Sequence, residues 1–197
     1  MAISQTFKYL IAACLLINVA AQAAPPDEAS MLANACAACH GTNGSSQGPA
    51  TPSIAGISHD YFIDSMTAFK EDERPATVMN RIAKGYNEEQ IKLMAIFFTL
   101  QKMNITRQQF EPSMVKAGQA LHDANCEKCH AEGGTVSEDD SGILSGQKIP
   151  YLRYTIDDIL NEKRDVSRKM LKRLRNIHQK TGQKGIEQLL QYYGSRQ

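Results

Sequence analysis

An all-α fold made of two copies of one small domain is predicted for this 197-residue chain by three observations. Its landmarks recur at a nearly constant offset, apolar residues fall at helical spacing around them, and no stretch alternates apolar and polar residues long enough to argue for a strand. Cys36 and Cys126 are 90 residues apart, and Gly56 with Tyr61 is matched at that offset by Gly146 with Tyr151, while Met79 and Met170 are 91 apart. Each half therefore reads as one copy of the same unit.

Within a copy a short helix runs into a cysteine pair, a glycine-rich loop follows, and further helices come after it. In the first copy the clearest helices are predicted over 60–69 and 87–101. Tyr61, Phe62, Met66 and Phe69 supply the apolar face of one, and Ile91, Met94, Ile96, Phe97, Phe98 and Leu100 that of the other. In the second copy helices are predicted over 150–160, 168–181 and 185–193. The polar stretch from Lys102 to Pro112 separates the copies, which places an N-terminal domain at 24–105 and a C-terminal domain at 106–197.

The cysteines carry the chemistry. Four of the five fall in the strings Cys36-Ala37-Ala38-Cys39-His40 and Cys126-Glu127-Lys128-Cys129-His130. Two vinyl groups of a heme need two thiols, the two-residue spacer lets one helical turn present both to one porphyrin edge, and the next residue places an imidazole beneath the iron. A zinc ribbon would hold its cysteine pairs closer together. A thioredoxin-like pair would need a βαβ setting. A disulfide framework does not explain a histidine directly after each pair. The reading is two covalent hemes, which also accounts for the composition: with 7% aromatic residues and no Trp, two small domains would underfill their cores without a large apolar disc.

Methionine as sixth ligand favours reduced iron. Met66 and Met94 sit inside amphipathic helices and read as core fillers, and position 156, the counterpart of Met66, is Ile156. Met79 lies 39 residues after His40 and Met170 lies 40 after His130, so the repeat selects them. The predicted iron ligands are His40 with Met79 and His130 with Met170. His59, His122 and His178 do not recur at the offset and are expected to be polar surface or helix residues. With both axial positions filled, neither iron keeps an open site, which argues for electron transfer over catalysis; a diheme peroxidase is the disfavoured reading.

Residues 1–23 read as a secretory signal: Lys8, an apolar run from Tyr9 to Val19, and Ala21-Gln22-Ala23 as cleavage site. The run is shorter than the ~20 residues that cross a bilayer. A lipoprotein cut before Cys14 would leave only a stub of that run, so cleavage after Ala23 is favoured, with export to the periplasm. Residues 24–197 then hold 21 basic and 21 acidic residues, a balance that does not suggest a nucleic-acid partner. The halves differ: 24–111 has 7 basic and 10 acidic residues, and 112–197 has 14 and 11. Lys163, Arg164, Arg168, Lys169, Lys172, Arg173 and Arg175 surround Met170. Such a run is either a solvated helix face or a device that steers an acidic redox partner or pairs with heme propionates.

Several longer strings go beyond heme attachment. They are Cys39-His40-Gly41-Thr42 leading to Gly48-Pro49-Ala50-Thr51-Pro52-Ser53-Ile54-Ala55, Ile82-Ala83-Lys84-Gly85-Tyr86 after Met79, Glu132-Gly133-Gly134 after the second motif, and Ile143-Leu144-Ser145-Gly146-Gln147 running into Pro150-Tyr151-Leu152. At these residues the chain resembles the diheme cytochrome c subunit of flavocytochrome c sulfide dehydrogenase, a relative of the cytochrome c4 group. The resemblance implies two tandem cytochrome c domains, the axial pairs already given, and a periplasmic heterodimer. In it an FAD-containing flavoprotein oxidises sulfide and this chain carries the electrons onward to a further cytochrome or oxidase. The chain itself has no dinucleotide fingerprint and no redox cysteine pair outside the heme motifs, so it is not expected to be an enzyme on its own. The rival reading is a stand-alone cytochrome c4-type shuttle to a terminal oxidase.

Overall fold

The computed structural model describes residues 27–137 and 141–197, so the secretory signal lies outside the described residues. Among those residues every regular element is a helix. The N-terminal unit contains α1 (Glu28–Asn34), α2 (Ala37–His40), α3 (His59–Lys70), α4 (Met79–Ala83) and α5 (Glu88–Thr99), with a 3-10 turn at Thr42–Gly44. The C-terminal unit contains α6 (Pro112–Asn125), α7 (Ala131–Gly134), α8 (Ile149–Leu160) and α9 (Arg168–Ser195). None of the helices is long and apolar enough to cross a membrane.

Local sequence explains where the helices begin. Asp27 accepts the Ser30 amide at 2.7 Å ahead of α1, and Ser58 accepts the Tyr61 amide at 3.2 Å ahead of α3. At α5 the side chains of Asn87 and Gln90 each accept the other's backbone N–H, a reciprocal capping box. Pro112 opens α6, where its missing N–H costs no intrahelical bond. Ser167 accepts the Met170 amide at 3.3 Å and so starts α9 one turn before its apolar stripe.

The expected helices over 60–69, 87–101 and 150–160 are present with ends moved by one or two residues. The two expected over 168–181 and 185–193 join into one run, Arg168–Ser195, broken in backbone geometry at Gly182 (φ 63°, ψ −159°). The apolar periodicity stops there because the stretch around Gly182 is exposed, while both flanking halves bury a face.

The repeat is written in backbone hydrogen bonds. Gly44 O accepts the amides of Ile54 and Ala55, and Gly134 O accepts those of Leu144 and Ser145. The Gly56 amide donates to Phe98 O and the Gly146 amide to Tyr193 O, each at 2.9 Å. In both copies the loop after the heme motif is thereby sewn to the last helix. Each unit has its own core. Phe62, Met66, Ile91, Met94, Ala95 and Phe98 form the first, with Met66 and Met94 as the core fillers the sequence suggests. Ile149, Leu152, Ile156, Ile159, Leu174, Ile177, Ile186, Leu189 and Leu190 form the larger part of the second. The Phe62 and Phe98 rings stack at 5.5 Å, and Phe97 meets Phe98 edge-on at 5.2 Å.

The most extensive helix pairing among the described residues is between α6 and α9. Gly118 makes it possible: a Cβ there would lie 2.0 Å from the Gln188 carbonyl oxygen and 2.8 Å from the Tyr192 Cβ.

The connection between units is extended but tied down. The Asn104 amide donates to Ser45 Oγ (2.9 Å) and Thr106 Oγ1 to Ser46 O (3.1 Å) on the first unit. Gln108 donates to Gln147 O (2.7 Å) and accepts the Ile149 amide (3.0 Å) on the second. Gln147 reaches directly across the seam, accepting the Ser53 amide at 3.0 Å and donating to Ser53 O at 2.6 Å.

Candidate heme-binding sites

Each cysteine motif sits on one helical turn. Cys36 O accepts the amides of Cys39 (3.2 Å) and His40 (2.9 Å), and Cys126 O those of Cys129 (3.0 Å) and His130 (2.9 Å). That turn puts both thiols and the imidazole of each motif on one short segment. Cys36 and Cys126 pack partly buried against their cores, Cys39 and Cys129 are exposed, and none of the four is in a disulfide. Burial, reinforced by Cys39, pushes the Cys36 thiol up to about 11. Burial also raises the Cys126 thiol, against an opposing hydrogen bond with Tyr193 and the charge of Arg173. Before attachment both inner cysteines are therefore protonated at neutral pH.

His40 is oriented by the loop that follows it. Its Nδ1 donates to the Pro52 carbonyl oxygen at 2.9 Å, and burial keeps its pKa below the usual imidazole value while that hydrogen bond opposes the shift. A neutral ring with Nδ1–H engaged leaves Nε2 as a lone-pair donor, the form in which a histidine ligates a metal. Gly41 lets the chain turn sharply here at φ 77°; a Cβ would fall 2.0 Å from the Ser45 carbonyl oxygen.

Met79 is the first residue of α4 and Met170 lies in the first turn of α9. Each is partly buried on the same core as the first cysteine of its own motif, Met79 with Cys36 and Met170 with Cys126. The structure thus brings the first cysteine and the methionine of each copy onto one apolar core, while Cys39 and Cys129 stay exposed. That donor set suits a covalently attached iron porphyrin: sulfur for the vinyl groups, nitrogen and thioether sulfur for the metal, apolar side chains for the ring.

Two expectations need correction. His122, expected as a polar surface or helix residue, is on helix α6 but is fully buried at 0% exposure. Its Nδ1 lies 2.9 Å from Tyr193 Oη and its Nε2 2.5 Å from Glu127 Oε2. Glu127 in turn accepts the amides of Glu132 (3.0 Å) and Gly133 (3.1 Å), clamping the loop that follows His130. The first copy has Leu32 and Ala37 at the corresponding positions, so the clamp belongs to the second copy alone. The sequence hint was Glu127 itself, a charged residue between the two cysteines and five residues from a histidine. Arg164, grouped by sequence with the basic cluster around Met170, is turned away from it and donates to Tyr61 Oη of the first unit at 2.9 Å. Lys163, Arg168, Lys169, Lys172, Arg173 and Arg175 do form an exposed face, with Arg175 bonded to Glu162.

The Glu127 clamp carries a pH signature. Its carboxyl pKa is lowered by the hydrogen bond from His122, then by the Gly133 amide and the remaining contacts. A carboxyl depressed in the folded state adds stability above its unfolded value of ~4.3 and loses it as pH falls through the folded value. Glu127→Ala is therefore expected to reduce the stability of the C-terminal domain at neutral pH and to flatten its loss in acid. Soret absorbance followed from pH 7 to pH 2 in variant and parent checks this.

Sequence and geometry together define a protein of two tandem helical domains with a covalent heme site in each. The cytochrome c family model matches residues 28–111. The chain is 45% identical over 75 residues to the cytochrome subunit of sulfide dehydrogenase from Chlorobaculum tepidum, covering 38% of this chain and 67% of that one. It is 26% identical over 132 residues to cytochrome c4 from Pseudomonas aeruginosa, covering 62% of this chain and 65% of the relative. These alignments reach about two thirds of the relatives' length. The crystal structure of reduced recombinant cytochrome c4 from Pseudomonas stutzeri superimposes with a TM-score of 0.73 at 23% identity, over 88% of this chain and all of that one. The chain belongs to the cytochrome c family, as a diheme, cytochrome c4-like electron-transfer protein with two covalently bound hemes c.

Proposed function

We propose that this chain is the periplasmic electron-transfer subunit of a sulfide dehydrogenase, taking electrons from an FAD-containing flavoprotein and passing them to a further cytochrome or oxidase. The observation that carries this reading is the 45% identity to the cytochrome subunit of sulfide dehydrogenase. In this reading His40 with Met79 and His130 with Met170 would hold the two irons, and Cys36, Cys39, Cys126 and Cys129 would hold the porphyrins. Bound heme would supply one-electron chemistry; the chain's contribution would be the thiols for attachment, the imidazole and thioether for the iron, and an apolar core for the ring. The sulfide chemistry belongs to the partner, because the chain holds no flavin-binding fingerprint.

The similarity to cytochrome c4 supports a second reading, a shuttle without a flavoprotein. Affinity capture of the tagged protein from its native periplasm separates the two. A flavin-fluorescent partner recovered in fixed proportion, with hemes that reduce on addition of sulfide, is the expected result. A cytochrome recovered alone and not reduced by sulfide in the same extract would favour the shuttle.

A further inference from the structure

One lysine where the domains meet lacks a counter-charge. Lys148 stands at the cap position of α8 and is buried, at 4% exposure. Among the described residues its ammonium has no carboxylate partner and no hydrogen-bond acceptor. Other cations nearby are partnered. Arg74 donates from Nη2 to Tyr151 Oη at 3.1 Å, Arg164 donates to Tyr61 Oη, and Arg153 grips Glu187 through Nη2 (2.8 Å) and Nε (3.3 Å). Ser58 holds the place of Lys148 at the repeat offset, so the unpaired lysine belongs to the second copy alone.

Lys148 lines an open cleft of about 410 Å³ whose walls come from three parts of the chain. Gln47, Gly48 and Pro49 belong to the first unit, Arg107 to the connection, and Lys148 with Arg153 to the second unit. No aspartate or glutamate is among the lining residues. Glu187 offsets the Arg153 guanidinium, which leaves Lys148 and the exposed Arg107 as two uncompensated positive charges. The positive end of the twelve-residue α8 adds to their potential. Burial pushes the Lys148 pKa down, as expected for an ammonium that has lost water without gaining a counter-charge. Such a charge is costly to keep, and an anion that reaches it recovers part of that cost. Two positive charges in a polar, half-open cleft match a compact dianion better than an apolar ligand or an extended polyanion.

We propose that this cleft binds a small oxyanion of the sulfate or phosphate type, held by Lys148 and Arg107. Because its walls belong to both units, the bound anion is a contact that the domains share. Its binding stabilises the folded chain by mass action.

Equilibrium dialysis of the full-length holoprotein against radiolabelled sulfate, and separately against phosphate, tests this at an ionic strength fixed with chloride. The expected result is one anion bound saturably per chain, with affinity lowered about tenfold in Lys148→Gln by loss of a charge-assisted contact. Lys172→Gln, on the exposed face of α9, is the control and should bind as the parent does. No saturable binding of either anion by the parent would overturn the proposal, whether the cleft is closed or filled by another part of the holoprotein. So would a Lys148→Gln variant with unchanged affinity, or an equal loss in Lys172→Gln, since either pattern assigns the anion to general surface charge. If Lys148→Gln does not mature, Arg107→Gln decides, because that position is exposed. Weaker binding there supports the cleft, and unchanged binding refutes it.

Discussion

Met170→Ala is expected to open one iron per chain. In the reduced protein the variant should bind carbon monoxide rapidly with a stoichiometry of one, Met79→Ala should do the same at the other heme, and the double variant should bind two. The parent should bind none on that timescale. The expectation rests on the repeat, which selects these two methionines, and on their packing against the same cores as Cys36 and Cys126. Losing the thioether also removes the ligand that favours reduced iron, so the affected heme should fall in potential by on the order of 0.1 V, well inside the ~0.8 V that axial ligands span. Carbon monoxide difference spectra and a redox titration of each variant read both effects. Binding by the parent, or no binding by a single variant, would mean that another side chain completes the coordination.

The largest loss of stability is expected from a change at the contact between α6 and α9. Gly118→Ala inserts a methyl group 2.0 Å from the Gln188 carbonyl oxygen, where α6 meets α9. The obstacle is backbone, so no rotamer change relieves it and the helices must separate. Overpacking costs about 1–3 kcal/mol, and with a main-chain clash the upper end is expected. For a domain of this size that lowers the melting temperature of the C-terminal half by roughly 15 °C. The N-terminal half should be spared, because Gly118, Gln188 and Tyr192 all belong to the C-terminal unit. Thermal unfolding with each heme as a separate reporter distinguishes the two transitions. A single unshifted transition would show that the pairing tolerates the methyl group.

Much of this architecture is legible in the chain because heme attachment has a dense local signature and because the domain occurs twice. Cys36, Cys39 and His40 announce themselves through spacing, and the second copy turns a list of eight methionines into two candidates. Helix starts are legible for the same local reason: Ser58, Asn87 and Ser167 each precede an apolar run. What sequence hides depends on how helices meet. His122 looks like any histidine on a polar helix face, and only the arrival of Tyr193 from α9 shows that its face is inward. Gly118 is one glycine among thirteen until Gln188 is brought against it. Arg164 sits in a run of cations, and composition assigns it to solvent. The offset of 90 from Arg74, matched by Tyr61 and Tyr151, was a readable signal. The physical content of that signal, a contact that crosses between domains, required both domains to be placed.

The bonds along the connection from Asn104 to Gln108 make it a strut rather than a tether. A flexible tether would let the two redox centres wander, and every internal electron hop would wait for a favourable encounter. Here Ser45 and Ser46 hold one end, Gln147 and Ile149 hold the other, and Gln197 adds a grip on Gln108 O at 2.7 Å. The linker's hydrogen bonds thus help hold the two domains at a set separation. A separation held in this way makes passage between the centres a matter of the folded chain rather than of chance encounters between two loose domains.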